Sequence, residues 1–345
     1  LQQRKQDGLP EMGVLRESDG SWYLREENNG FILGPYEKGA PACYVDGPDP
    51  RAEYELFQED IERLEPHIEA AMNRVPAFGE VGIKKVYNGA IAYTPDGNPI
   101  IGPAWDLDNF WLNEGHSFGI TAAGGAGWQL AEWIVEGEPT IDMLGVEPRR
   151  FGDYATKKYL IEKNEEAYAH VFITHYPDEE RPAARPLRTA PCYERMKERG
   201  AVFGQKFGWE RPNFFATDGM PQEDDWSFRR SRWFEAIRRE VANTTENVGL
   251  LDMTAFAKCR VSGPGAESFL DYFVANTLPK KVGGVSLAHA LNRKGGVHSE
   301  FTIRRESNDS FYLVSAGALQ RRDHDYLKKH MPRDGSVQFT QLTGA

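Results

Sequence analysis

Apolar and polar positions change their period several times along the chain. Gly20-Ser-Trp-Tyr-Leu-Arg25 and Gly30-Phe-Ile-Leu-Gly-Pro-Tyr36 are short apolar runs around the polar Glu26-Glu-Asn-Asn-Gly30. This predicts a β-hairpin within a β-rich segment 1–45. Tyr23 and Arg25 lie two apart, so a strand points both to one face; there Tyr23 reads as core or as substrate-facing. Between 50 and 75 the spacing becomes helical, with Tyr54, Phe57, Ile61, Leu64, Ile68 and Ala71 recurring among acids. Val81–Tyr87 alternates, and it predicts a strand, as does Ala90–Tyr93. Thr94-Pro-Asp-Gly is a turn, proline setting φ and glycine accepting positive φ. Phe110–Asn113 predicts a further strand that feeds into Gly115-His-Ser-Phe-Gly-Ile-Thr-Ala-Ala-Gly-Gly-Ala-Gly-Trp-Gln-Leu-Ala-Glu-Trp-Ile134. The second half of that run predicts an amphipathic helix with Leu130, Trp133 and Ile134 on its apolar face.

Residues 147–203 read as a connector, with a helix through Tyr154, Tyr159, Ile161, Glu165 and Tyr168. The proline-dense Tyr176–Pro186 excludes regular helix or central strand and reads as a solvated loop. From 204 onward the pattern changes again. Trp226–Glu235 leads into a helix over Phe234–Thr244. Val248–Gly263 predicts two strands around a turn, and Pro264–Phe273 a helix. Leu287–Asn292, Gly296–Arg304 and Ser310–Ser315 predict three strands, with turns at Gly295-Gly296 and Asn308-Asp309. Ser336–Leu342 is strand-like.

Composition narrows the function classes. A chain of 345 residues predicts about two or three domains. The net charge of −11 and pI of about 5.4 argue against a nucleic-acid partner. Mean hydropathy is −0.59, and no apolar run approaches the ~20 residues of a membrane span, so no membrane partner is expected. Cys43, Cys192 and Cys259 are far apart and form no CxxC or Cys/His ligand spacing, so no metal is expected and a reducing compartment fits. The chain starts at Leu1 without a signal-peptide pattern and stops just after a strand-like run; it reads as an internal piece of a longer polypeptide.

The small-residue stretch carries candidate chemistry. Glycine and alanine let a flat group lie close to the backbone. A helix N-terminus adds unpaired N–H groups and a partial positive charge, which stabilise a ring that gains negative charge. A glycine-rich helix packed on a sheet is the plain alternative. Three sets of residues decide between them. Thr94-Pro-Asp-Gly-Asn-Pro-Ile-Ile-Gly-Pro103, then Asn109–Ile120 and the Gly/Ala-rich helix, resemble the closing segment of the glycine-oxidase/sarcosine-oxidase class of flavoproteins. Glu147-Pro-Arg-Arg-Phe151 and Gly208-Trp-Glu-Arg-Pro212 resemble the middle domain of the dimethylglycine and sarcosine dehydrogenases. Leu291-Asn-Arg-Lys-Gly-Gly-Val-His-Ser-Glu-Phe-Thr302 is similar to the aminomethyltransferase (glycine-cleavage T-protein) fold.

The resemblance implies an α+β chain in three parts. Residues 1–146 form the C-terminal part of an FAD-dependent oxidoreductase domain. Residues 147–203 form a central connector domain, and 204–345 the N-terminal part of an aminomethyltransferase-like, folate-binding domain. It implies FAD and tetrahydrofolate as cofactors. Gly115, His116, Ser117, Phe118, Gly119 and Ile120 become flavin neighbours; for His116 a packed or surface histidine is the other reading. In Trp22-Tyr23-Leu24-Arg25, Tyr23 would face the amine and Arg25 would hold the substrate carboxylate. Glu300, where many relatives have Asp, would orient a folate amine and accept its proton. Tyr312 would contact the pterin. Both Glu300 and Tyr312 also read as plain strand residues. No Gly-x-Gly-x-x-Gly stands in the chain, since Gly125-Ala-Gly127 is followed by Trp-Gln-Leu; the expectation is that the chain begins after the nucleotide-binding half.

The implied activity is oxidative demethylation of an N-methylated glycine, dimethylglycine preferred, with the one-carbon unit passed to tetrahydrofolate as 5,10-methylenetetrahydrofolate. The implied partners are the N-methyl amino acid and an electron-transfer flavoprotein. The implied place is the cytoplasm of a bacterium or the mitochondrial matrix of a eukaryote. A sarcosine dehydrogenase or oxidase, and a folate-binding module without transferase chemistry, are the alternatives.

Overall fold

The computed structural model describes residues 2–217 and 219–344, and the chain divides into two compact units. Residues 1–103, 109–146 and 156–184 make the first; 104–108, 147–155 and 185–345 make the second. Both mix helix and strand, so the fold class is α+β as expected.

In the first unit, strands Leu15–Glu17, Trp22–Glu27 and Gly30–Pro35 form an antiparallel sheet in chain order. Trp22 and Leu24 are buried from one face, which leaves Tyr23 and Arg25 together on the other. Helix Ile61–Arg74 packs on the buried face through Ala71, with Leu33, Val75 and Phe78 closing the cluster. A separate hairpin, Ile100–Pro103 with Trp111–Glu114, leads into helix Gly119–Glu136. Their shared core is Ile101, Ala126, Trp133 and Met143.

Several sequence expectations fail in this unit, each for a physical reason. The helix begins at Ile61 rather than near 50: Asp60 caps it by accepting from the Arg63 N–H at 3.1 Å. Upstream, the Phe57 N–H is drawn to the Asn88 carbonyl at 2.7 Å. The alternating runs 81–87 and 90–93 form no strand. Val81, Ile83, Tyr87 and Ile91 are exposed, and no strand among the described residues pairs with them; alternation without a ladder partner does not make a strand. Ile134 faces outward. The core stripe of its helix is Ala126, Gln129 and Trp133, about one helical step away.

In the second unit, a five-stranded antiparallel sheet runs in the order Gln338–Gln341, Ala257–Ser262, Ser310–Ser315, Val297–Arg305, Val285–Leu291. Val261, Ile303, Phe311 and Leu313 from one face of the sheet pack with Leu270 and Leu327 from helices Ala266–Phe273 and Gln320–His330. The hairpin at Gly295-Gly296 is as expected: Asn292 Oδ1 accepts from the N–H groups of Lys294 and Gly296, and Gly295 takes φ +80°. The expected first strand of 248–263 is missing, since Asp252 folds the chain locally by accepting from the Thr254 N–H and hydroxyl. A second hairpin, Ala201–Lys206 with Trp209–Phe215, packs on helix Trp233–Glu246 through Val202, Phe214 and Ala236.

Candidate functional site

Two groups of the expected residues assemble, one in each unit. In the first unit the Gly115–Phe118 loop is set by its turn neighbours. Gly115 has φ +71°, and a Cβ there would lie 2.6 Å from the Thr94 methyl. Thr94 is itself fixed, its hydroxyl donating to the Asn98 carbonyl at 2.6 Å. His116 Nε2 lies 2.7 Å from Asn113 Oδ1, while its Nδ1 is buried without a partner. Phe118 is partly exposed and Ile120 fully so.

Helix Gly119–Glu136 starts with no side-chain cap and no acidic residue in its first turn, so its leading N–H groups are not taken by its own side chains. A Cβ at Gly124, Gly125 or Gly127 would meet nothing within 4 Å, so a bare backbone surface flanks that helix end. An open, uncapped, glycine-surfaced helix start fits a planar ring that carries negative charge.

Ser117 lies near the hydroxyl of Tyr93, which is buried without a hydrogen-bond partner among the described residues and begins a tyrosine cluster. Tyr93 meets Tyr168 at 5.7 Å between ring centroids, Tyr168 meets Tyr36 at 5.2 Å, and Tyr36 meets Phe172 at 4.5 Å. Tyr23 stands edge-on to Phe172 at 6.1 Å. Burial pushes the Tyr93 phenol up to about 12. Tyr36 is raised by burial, and Tyr168 is raised by burial and by Glu37, to whose carboxylate it donates at 2.7 Å. These phenols therefore stay protonated at neutral pH. The Tyr23 ring lies flat over Gly34, its partner in register, where any Cβ would fall 2.1 Å from the ring.

Tyr23, Gly34, Glu37, Tyr93 and Tyr168 all line an open cavity of about 2250 Å³. Arg25, on the same strand face as Tyr23, pairs with the carboxylate of Glu27. Sequence reasoning passed over Tyr36, Tyr93, Tyr168, Phe172 and Gly34. Their only signal was recurrence of aromatics in segments that read as strand and connector helix.

In the second unit the outward face of the large sheet carries Glu300 and Tyr312. They are not adjacent: Tyr312 pairs with Arg304, four residues from Glu300, or about 13 Å along the strand. Directly opposite Glu300 is His289, whose Nε2 lies 3.1 Å from Glu300 Oε2. Behind His289, Asn276 Oδ1 accepts from its backbone N–H at 2.8 Å and lies 3.3 Å from its Nδ1. His289 and Asn276 were not singled out from sequence; their juxtaposition depends on strand register.

The opposite, buried face holds a second polar set. Ser299 donates to Asp323 at 2.6 Å, and burial pushes that carboxyl up to about 6. Burial and neighbouring Arg322 hold His298 down to about 3, and burial holds His324 down to about 4. No group of three or more metal-ligating side chains occurs among the described residues. No helix among them is long and apolar enough to cross a membrane.

The comparisons with known proteins follow the same division. Residues 2–133 match the family described as FAD dependent oxidoreductase, 136–190 its central domain, and 192–345 the GCVT N-terminal domain. Mitochondrial dimethylglycine dehydrogenase of Mus musculus is 35% identical over 340 residues, which is 96% of this chain and 39% of that protein. This chain belongs to the dimethylglycine dehydrogenase and sarcosine dehydrogenase family. Human mitochondrial sarcosine dehydrogenase is 29% identical over 361 positions, covering 93% of the chain and 39% of that relative. The chain thus spans 39% of the length of these family members. A solved aminomethyltransferase T of the glycine cleavage system from Bartonella henselae aligns with 46% of this chain and 38% of its own, at TM-score 0.35 and 23% identity.

Proposed function

We propose that this chain is part of an FAD-dependent amine oxidoreductase that demethylates an N-methylated glycine, dimethylglycine in preference to sarcosine. In this reading the one-carbon unit passes to tetrahydrofolate as 5,10-methylenetetrahydrofolate. The observation that carries it is the succession, within one chain, of an oxidoreductase segment, its central domain and a GCVT segment. The parts are residues 1–146, 147–203 and 204–345. An electron-transfer flavoprotein takes the electrons, in a bacterial cytoplasm or a mitochondrial matrix.

When bound, the flavin would take a hydride equivalent from the N-methyl carbon. Gly115, His116, Ser117, Phe118, Gly119 and Ile120 would hold its ring, and the uncapped helix end would stabilise negative charge there. Tyr23 and the neutral phenols beside it present aromatic faces to a methylated ammonium. Arg25 exchanges Glu27 for the substrate carboxylate; the pair is exposed, so the exchange costs little. Glu300 orients the folate amine and takes its proton as the iminium is trapped, and Tyr312 supports the pterin from further along the same face.

The test uses the protein in its full reading frame. Anaerobic dimethylglycine or sarcosine is added and the flavin band is followed. Faster bleaching by dimethylglycine, with tetrahydrofolate diverting formaldehyde to 5,10-methylenetetrahydrofolate, is the expected result. A flavin band indifferent to both amines overturns the reading.

A further inference from the structure

The outward face of the five-stranded sheet holds a three-member hydrogen-bonded chain, Glu300–His289–Asn276, that no sequence motif announces. Its proton positions follow from the geometry. The backbone N–H of His289 can only donate, and it points at Asn276 Oδ1, which fixes the orientation of that amide. His289 Nδ1 lies 3.3 Å from the same oxygen, at the outer edge of hydrogen-bond range. The other ring nitrogen, Nε2, faces Glu300 Oε2 at 3.1 Å. A carboxylate oxygen only accepts, so the ring N–H assigned to this contact is the one on Nε2, and Oε2 is committed to it.

We infer that His289 is a positioning residue for Glu300: held by Asn276, it fixes Oε2 and presents Oε1 to the incoming nucleophile. Oε1 makes no hydrogen bond within the described sheet face, and the Glu300 side chain is 59% exposed. This inference rests on the folate-trapping reading above. In the step it serves, the nitrogen of a secondary amine forms a bond to the iminium carbon, and the C=N π pair moves to the departing amine nitrogen. The N–H bond breaks and its proton goes to Oε1. His289 stays a donor throughout. Leu287 and Leu291, two residues either side of His289 on the same strand, are exposed and give the pair an apolar flank. By register the nearest charges to Glu300 on this face are Lys258, two strands over and two residues along, and Arg304, four residues along its own strand, about 12 and about 13 Å away, so the ring is the local partner of the carboxylate.

The experiment measures 5,10-methylenetetrahydrofolate formed per amine oxidised, in the full-length holoenzyme supplied with dimethylglycine and tetrahydrofolate. Dividing by flavin reduction removes effects on the oxidation step. His289→Leu removes the donor at similar volume; His289→Gln keeps an amide N–H within reach of Oε2. Loss of one such hydrogen bond is expected to lower the ratio about tenfold in His289→Leu. His289→Gln should restore it to within about threefold of wild type, and Glu300→Gln should be at least as impaired as His289→Leu. Equal impairment of the Leu and Gln variants would make His289 merely structural and overturn the inference. A wild-type ratio in His289→Leu alongside a collapsed one in Glu300→Gln would overturn it while leaving Glu300 in its role. A wild-type enzyme that oxidises the amine yet releases only formaldehyde would instead sink the folate-trapping reading on which it stands.

Discussion

Gly115→Ala offers the sharpest test of how the first unit holds its glycine-rich loop. Two separate terms oppose the substitution. Gly115 sits at φ +71°, where an L side chain costs about 1–2 kcal/mol. The new Cβ would also stand 2.6 Å from the Thr94 methyl. That methyl cannot swing aside, because Thr94 is 3% exposed and its hydroxyl is held by the Asn98 carbonyl at 2.6 Å. Forcing one methyl into a packed site costs about 1–3 kcal/mol. The sum is about 3 kcal/mol, which for a unit of this size lowers its melting temperature by roughly 6–12 °C.

A double-mutant cycle separates the terms. Thr94→Ser deletes the clashing methyl and keeps the hydroxyl, so Gly115→Ala should cost about 1–2 kcal/mol less in that background. Urea unfolding followed by tryptophan fluorescence reads both, since Trp111 and Trp133 report from the adjoining core. If Gly115→Ala unfolds within about 0.5 kcal/mol of wild type, the loop is not held as described. If the cost is the same in both backgrounds, it is backbone strain alone and the Thr94 contact is unimportant.

Two further outcomes follow from the second unit. Asp323 is fully buried with its carboxyl raised to about 6 against an ordinary 3.8, so the folded state binds its proton more tightly than the unfolded state. Its contribution to stability is therefore present below pH ~4 and lost as pH rises through ~6, a swing of about 3 kcal/mol. Asp323→Asn should gain stability relative to wild type by about 2 kcal/mol between pH 4.5 and 7.5; an equal difference at both pH values, by urea midpoints, would refute it. Arg185 donates twice to Glu210, at 2.9 and 2.6 Å, and Glu210 is 3% exposed. Arg185→Ala should strand that carboxylate and cost about 3–5 kcal/mol, whereas a loss below about 1 kcal/mol in urea unfolding would show the pair is not buried as described.

Whatever rests on local periodicity and turn chemistry was legible along the chain. The hairpin before Tyr36, helices Trp233–Glu246 and Ala266–Phe273, and the three strands around Gly295-Gly296 and Asn308-Asp309 were all legible. In each, side-chain spacing and turn residues act over a few positions. Tyr23 likewise shares a face with Arg25, because a strand alternates strictly.

The remaining features depend on how distant segments pack. The runs 81–87 and 248–256 alternate like strands but pair with nothing among the described residues. Ile134 looks like core by composition, yet the helix turns a different stripe inward. Both candidate sites depend on such non-local facts. Tyr23, Tyr36, Tyr93, Tyr168 and Phe172 are scattered over 150 positions and meet only because their elements pack. Glu300 was visible in its motif, but His289 became its partner through strand register, and a one-residue slip would turn it to the other face. Local sequence sets which way a side chain points; only the fold sets what it meets there.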